Sequence, residues 1–375
     1  MLSDKLSFFS NRIQKELFPL LEEELDEPLL QSHQRLAEVL EIIQIERVLP
    51  YRTPFERGRP PKKRLAVVRA FIAKHVLNLP TTDHLIHRLK CDKHLRYICG
   101  WSPGEKIPSA STFSRMFKYL SQSQALERLH ETLVKDVYED QIVLHCARDS
   151  MPISVREREK KMAHPTIKER YPQKDANNKK LTVCEFQATQ AASLEEMVNP
   201  LPMKCDIGKK TNSHGISKVW RGYKLHMDVA DGSFPISCIL TSASSHDSQA
   251  GIPLSKKSSG RAKICYELMD SAYDVNAIKE YIQRENHVPL IKSHKRRGKR
   301  KEFVEQNDKA HATLHWRPAD EVRFATRFSN ERLFARLADS FLGPAIRVRG
   351  HLKVYCHIML GVLSLFACEL LRFRL

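Results

Sequence analysis

Two short apolar runs that each close on an aspartate constrain this chain more than any other feature. IVLHCARD, ending at Asp149, and AKICYELMD, ending at Asp270, are mainly apolar and carry β-branched residues, the composition of strands covered on both faces near the middle of a sheet. A carboxylate at the end of a buried strand needs a reason, because leaving water costs a charged group dearly unless it gains partners. Either aspartate alone reads as a turn former or helix cap. Two of them, on strands of one sheet, read as a pair with a chemical task.

The intervening pattern supplies the rest of that sheet. Tyr223, Leu225, Met227 and Val229 alternate with Lys224, His226 and Asp228, the period of two that marks a strand. Asp231-Gly232 is a hairpin turn signal, and Ile236, Cys238 and Leu240 alternate with Ser237 and Thr241 to give an antiparallel partner. Helices are expected near His246 to Leu254 and over Asn276 to Arg284, a short strand at Val288 to Ile291, and a helical region from about Asp320 to Phe341. The expected order is βββαβαβ and then α: an α/β fold with a mixed sheet flanked by helices.

The first 135 residues differ in period. Apolar residues recur at three and four positions in Leu36 to Val48, Leu65 to Leu77 and Leu85 to Ile98, which predicts short amphipathic helices separated by Pro50, Pro54, Pro60, Pro80 and Pro103. Ser109 to Leu120 begins after Pro108 with serines suited to capping and puts Phe113, Met116, Phe117 and Leu120 on one face. A chain of 375 residues has room for two cores, so the expected division is an all-α domain over 1–135 and an α/β domain over 136–375. The helical part suits either a DNA reader of helix-turn-helix type or a cap that only packs on the second domain. Arg57-Gly58-Arg59-Pro60, with Lys62, Lys63 and Arg64 behind it, suits a minor-groove hook or a solvated linker.

Composition decides the partner. Lys and Arg number 62 against 44 Asp and Glu, a formal net charge of +18, and such a field attracts phosphate; nucleic acid is the commonest polyanion to answer it. The nine cysteines include no C-x-x-C pair, which argues against a zinc ribbon or a disulfide framework and for small buried thiols in a reducing cytoplasm. Met1 to Phe18 has charges spread through it and lacks the apolar core of a secretory signal. Ile358 to Cys368 is greasy but, at eleven residues, about half the roughly 20 needed to cross a bilayer, and is expected to be a buried helix.

Several separated blocks then carry a resemblance. CARDSMPISVREREK around Asp149, RGYKLHMDVADGSFPISCILTSASSHDSQ at 221–249, YELMDSAYD around Asp270 and RFSNERLFARL around Glu331 resemble the DDE transposases of bacterial insertion sequences. HLRYICGWSPGEKIPSASTFSRM at 94–116 is similar to the amino-terminal domain of the same enzymes. The similarity covers about residues 50–373.

The resemblance implies an RNase H-like catalytic domain in which Asp149, Asp270 and Glu331 are catalytic and together hold two divalent ions, Asp149 being shared between them. Mg²⁺ is the expected ion and Mn²⁺ a substitute, since both take oxygen ligands. Phosphodiester cleavage and strand transfer put negative charge on the entering and leaving oxygens, which a pair of cations about 3.5–4 Å apart neutralises. Implied partners are double-stranded DNA, both as terminal inverted repeats and as target, and a second copy of the chain in a synaptic dimer, with no membrane; the implied setting is the nucleoid of a prokaryotic cytoplasm.

Around the third acid such transposases carry Tyr, then Arg three residues on, Glu four further and Lys seven beyond. The corresponding positions here are Phe324, Arg327, Glu331 and Ala338. Arg327 suits a phosphate clamp, and with alanine at 338 the last DNA contact falls to Arg332 or Arg336. Glu321 and Asp339 are substitutes for the third acid. Asp228 is a candidate to approach the acids and steady them; Asp247 is a rival acid, and His226 and His246 read as structural or DNA-facing. Lys292 to Lys301, with Lys295, Arg296 and Arg297 at its centre, is either a backbone-phosphate contact or a solvated loop. Two other functions share these features: a transposase-derived DNA-binding protein or repressor without catalysis, and a metal-dependent nuclease without strand transfer.

Overall fold

A computed structural model describes residues 23, 28–49, 63–102, 104–157, 181–189, 193–211, 215–231, 233–292, 319–343 and 346–373. Two compact units emerge: one from residues 1–137 together with 335–375, the other from 138–334.

The second unit holds the sheet. Six strands, β1 (Ile142–Ser154), β2 (Asp206–Thr211), β3 (Ser217–Ala230), β4 (Phe234–Ser242), β5 (Lys263–Met269) and β6 (Val288–Ile291), form one mixed sheet. Across it β3 is antiparallel to β1, β1 parallel to β5 and β5 parallel to β6. The outer edge of β3 is shared by β2 and β4, both antiparallel to it. The expected strands all form, and β2 is an addition: DIGKKT has neither the apolar content nor the alternation of a strand. Gly208 in β2 lies against the Trp220 indole, where a Cβ would come within 2.4 Å.

β1 does not stop at Asp149. It continues to Ser154 against β3, while its pairing with β5 ends at Ala147 and Leu268. Val155 N–H donates to the Arg221 carbonyl of β3, and amides alternate along a strand, so Pro152 turns its missing N–H away from β3 toward the side β5 has already left. That is why a proline is tolerated inside a 13-residue strand.

Helices cover the sheet. The first two in this unit, Val183–Gln187 and Leu194–Val198, each open on a capping box, Thr182 with Glu185 and Ser193 with Glu196. Ser248–Ser259 carries Pro253 in its interior. Proline has no N–H for the carbonyl four residues earlier, and the buried Gln187 amide donates to that Gln249 carbonyl at 2.9 Å instead. Asn276–Arg284 follows, then Ala319–Ala325 and Phe328–Arg336. One apolar cluster joins Cys184, Met197, Ile252, Met269, Ile278 and Ile282 from five of these elements with Tyr273 from the short turn after β5.

The first unit is helical, as the period predicts, with helices Gln31–Ile43, Arg64–Val76, Thr82–Cys91, Lys93–Cys99, Ala110–Ser123 and Ala125–Tyr138. Its core also takes the carboxy-terminal helix His351–Arg372, long and apolar enough to cross a membrane by length and composition, yet 89% buried along its apolar window. The expected division at residue 135 gave the whole of 136–375 to the sheet domain; here this helix packs with the helices of the first unit. A helix apolar on every side must be surrounded, and here the helices at Gln31–Ile43, Arg64–Val76 and Ala110–Ser123 surround it. Its one buried carboxylate, Glu369, is paired by Arg336.

Candidate active site

Side chains on β1 alternate between two faces, and the two faces do different work. Arg148 and Ser150 look one way, Asp149 the other.

On the Arg148 side lies a buried polar network. The Arg148 guanidinium, 1% exposed, donates from Nε and Nη2 to the two oxygens of Asp228, each at 2.7 Å, and from Nη2 to Glu267 Oε2 at 2.9 Å. Its Nη1 reaches the Gly251 carbonyl at 2.9 Å and the Met269 sulfur at 3.4 Å. Ser258 donates to Asp228, and Ser255 and His287 complete Glu267. Burial alone would favour the neutral guanidine, but the two carboxylates hold Arg148 charged, its pKa above the ordinary arginine value. Asp228 is therefore not beside the acids. It pairs in register with Arg148, so it shares Arg148's face, and its carboxylate is spent on that guanidinium.

Next along the same face, Lys224 donates to Asp247 Oδ1 at 2.8 Å and Ser150 to its Oδ2 at 3.1 Å, so Asp247 too is engaged. His226 is buried, bonded through Nε2 to Thr241, and burial lowers its pKa to about 4; His246 bonds Ser248. His226, opposite Ser150 in the register, thus lies on the face away from Asp149.

Asp149 opens on the opposite face. The register that pairs Ala147 with Leu268 carries Asp149 and Asp270 to neighbouring, same-face positions where the two parallel strands part. Asp270 uses one oxygen to accept the Ala272 amide, capping the turn Ser271–Tyr273. Its other oxygen faces Arg327, whose Nη2 lies 2.6 Å from Asp149 Oδ2 and 3.8 Å from Asp270 Oδ2. Asp149 Oδ1 accepts the Ser150 amide. Asp149 is 8% exposed, and this burial raises its carboxyl pKa, with Arg327 pulling the other way. The buried Tyr273 hydroxyl has no hydrogen-bond partner among the described residues and lies within electrostatic reach of both aspartates.

Arg327 is delivered by the chain entering helix Phe328–Arg336, and that helix is tied to β1. Asn330, wholly buried, donates from Nδ2 to the Ala147 carbonyl at 2.7 Å. Glu331 follows at the next position, in the first turn of that helix. Its carboxylate is exposed and unpaired among the described residues. Asp149, Asp270 and Arg327 are thus brought together, while Glu331 makes no contact with them among the described residues. Arg332 is exposed and free to meet a phosphate. Arg336 is not, because Glu369 holds it. Lys295, Arg296 and Arg297, like Arg57-Gly58-Arg59-Pro60, lie outside the described residues.

Arg148, Asn330 and Tyr273 are the residues sequence reasoning missed. Arg148 had a signal, a charge inside an apolar run. Asn330 and Tyr273 had none, since their importance lies in what they reach.

The donor set suits a hard divalent cation. Carboxylate oxygens are the ligands such ions take, and the Asp149 and Asp270 oxygens already converge on one cationic group.

Comparison with known proteins finds two family models that match. Residues 178–367 match the family model described as transposase DDE domain, and residues 23–119 match one described as transposase domain (DUF772). The first match takes in Asp270 and Glu331 and begins after Asp149. No curated protein and no solved structure matches the chain.

Proposed function

We propose, for a chain that belongs to the transposases with a DDE domain, that Asp149, Asp270 and Glu331 are its catalytic acids and hold two divalent ions, Mg²⁺ or in its place Mn²⁺. The observation that carries this is the single guanidinium bridging Asp149 and Asp270 where β1 and β5 diverge: a cation-binding pair exists before any metal arrives. Bound there, the ions would supply Lewis acidity to the phosphate and lower the pKa of the attacking hydroxyl or water.

The protein's own groups do the rest. Asp149 is fixed by its neighbour's amide and by a buried strand, so its oxygens need no reorganisation during reaction. Asn330 holds the helix of Glu331 to β1, setting the distance the third acid must span. Arg327, released from Asp149 once the carboxylates gain other cations, is placed to take two phosphate oxygens, and Arg332 to take the contact that Ala338 cannot. Water attacks a phosphodiester at the element's terminal inverted repeat and frees a 3′ hydroxyl; that hydroxyl then attacks target DNA, displacing a 3′ oxygen there. Two ends must be processed together, which favours a homodimer of this chain.

Incubating the purified protein with Mg²⁺ and a labelled duplex bearing an element end tests this. Strand transfer into a second duplex is expected. Cleavage without transfer would make it a nuclease, and binding without cleavage a repressor.

A further inference from the structure

The helical unit contains a cavity of about 490 Å³ that the catalytic reading does not use. Four cations line it, Lys74, Arg347, Arg349 and Lys353, and no carboxylate does. None of the four has an ion pair or side-chain hydrogen bond among the described residues. Three sit exposed at the rim, whereas Lys74 is nine-tenths buried.

Leaving an ammonium in such a place is expensive, and four like charges round one hollow repel each other. Burial lowers the Lys74 pKa to about 8. The two histidines in the wall add no charge: His75 bonds the Phe341 carbonyl and His357 the Leu342 carbonyl, and burial holds His357 at about 3 and His75 well below its ordinary value. One more donor set opens here. Helix Ala110–Ser123 begins at the cavity with Ala110, and its cap residue Ser109 makes no side-chain cap bond; the Thr112 and Phe113 amides donate to the Ser109 carbonyl, which leaves the amides of Ala110 and Ser111 for an anion.

We propose that this cavity is a phosphate-binding site, with Lys74 as its buried anchor and Arg347, Arg349 and Lys353 as its rim. A tetrahedral dianion matches a hollow ringed by four cations and a helix amino terminus. Because the chain is a transposase, the expected source is a backbone phosphate of DNA, and this part rests on the function proposed above; a free phosphate-bearing small molecule is the other source.

Partly neutral at pH 8, Lys74 is a nucleophile, and its acylation by acetic anhydride can be followed by peptide mass spectrometry in the full chain. Inorganic phosphate and a short DNA duplex are added separately, to the native protein and to the rim double variant Arg349→Ala/Lys353→Ala. Slowing by both, lost in the double variant, is the expected result; duplex affinity should then lose about one unit of salt slope per cation removed. Slowing by phosphate alone assigns the site to a small molecule. No slowing by either overturns the proposal. Cleavage by the unmodified protein reports separately on the acids, so the two failures cannot be confused.

Discussion

Asn330 and Ala147 are 183 positions apart in sequence, and one hydrogen bond of 2.7 Å joins them. It ties the first turn of the helix bearing Glu331 to the strand bearing Asp149, two residues before that acid. The placement of Glu331 relative to Asp149 is therefore fixed by a buried amide on a backbone carbonyl, not by either carboxylate.

Asn330→Ala should then separate binding from chemistry. The Ala147 carbonyl loses its donor inside the protein, a cost of about 1–3 kcal/mol in stability, and the helix loses its anchor. Cleavage in Mg²⁺ should fall at least tenfold while duplex affinity by gel shift barely moves. Equal loss of both would show that Asn330 only supports the fold.

Each acid is testable alone. Asp149→Asn, Asp270→Asn and Glu331→Gln should each abolish cleavage and strand transfer with DNA binding largely intact. Substantial cleavage by any one of them removes that residue from the site; Glu331→Gln is the sharpest case, because its carboxylate touches neither aspartate here.

Arg148 should behave as structure, not chemistry. Arg148→Met leaves Asp228 and Glu267 buried side by side without their cation, and breaking a buried pair in this way costs about 3–5 kcal/mol. Arg148→Lys should not rescue it, since an ammonium cannot grip Asp228 with two donors. Denaturant unfolding measures both; near-native stability of the methionine variant would mean the network contributes little.

The pH dependence of cleavage should report Asp149. Burial raises its pKa, so the native state takes up this proton more readily than the unfolded chain and Asp149's contribution to stability falls as pH rises through that window. The protonated acid cannot hold a cation, which places the acid limb of the rate above the ordinary aspartate value of about 3.9. Arg327 favours the carboxylate before metal binds, so at limiting Mg²⁺, where proton and metal compete for Asp149, Arg327→Ala should move this limb to higher pH. An unmoved limb would mean another group controls it.

Gly222 tests the sheet. Its φ is +149°, and a Cβ there would stand 2.0 Å from the Ile153 carbonyl oxygen. Gly222→Ala should cost about 2–4 kcal/mol, seen as a lower unfolding midpoint, because β1 and β3 pair at this point through Ser154.

By itself the sequence determined the elements whose pattern is local. Alternation along Tyr223–Val229, the hairpin at Asp231, the helix Asn276–Arg284 and the strand Val288–Ile291 needed only side-chain period and turn chemistry, and both aspartates were legible because a charge closing an apolar run is conspicuous. Tertiary structure alone decided where strands end and what polar groups face. β1 runs past Asp149 because β3 continues beside it after β5 leaves, and β2 forms because the edge of β3 offers it unpaired amides and carbonyls. Asp228 turned out to face Arg148 because opposite residues in an antiparallel pair share a side, which depends on register. The carboxy-terminal helix joined the helical unit because an all-round apolar surface buries wherever helices can surround it. Patterns of two and 3.6 residues are written in neighbours; pairing partners, faces and buried charge balance depend on residues a hundred or more positions away.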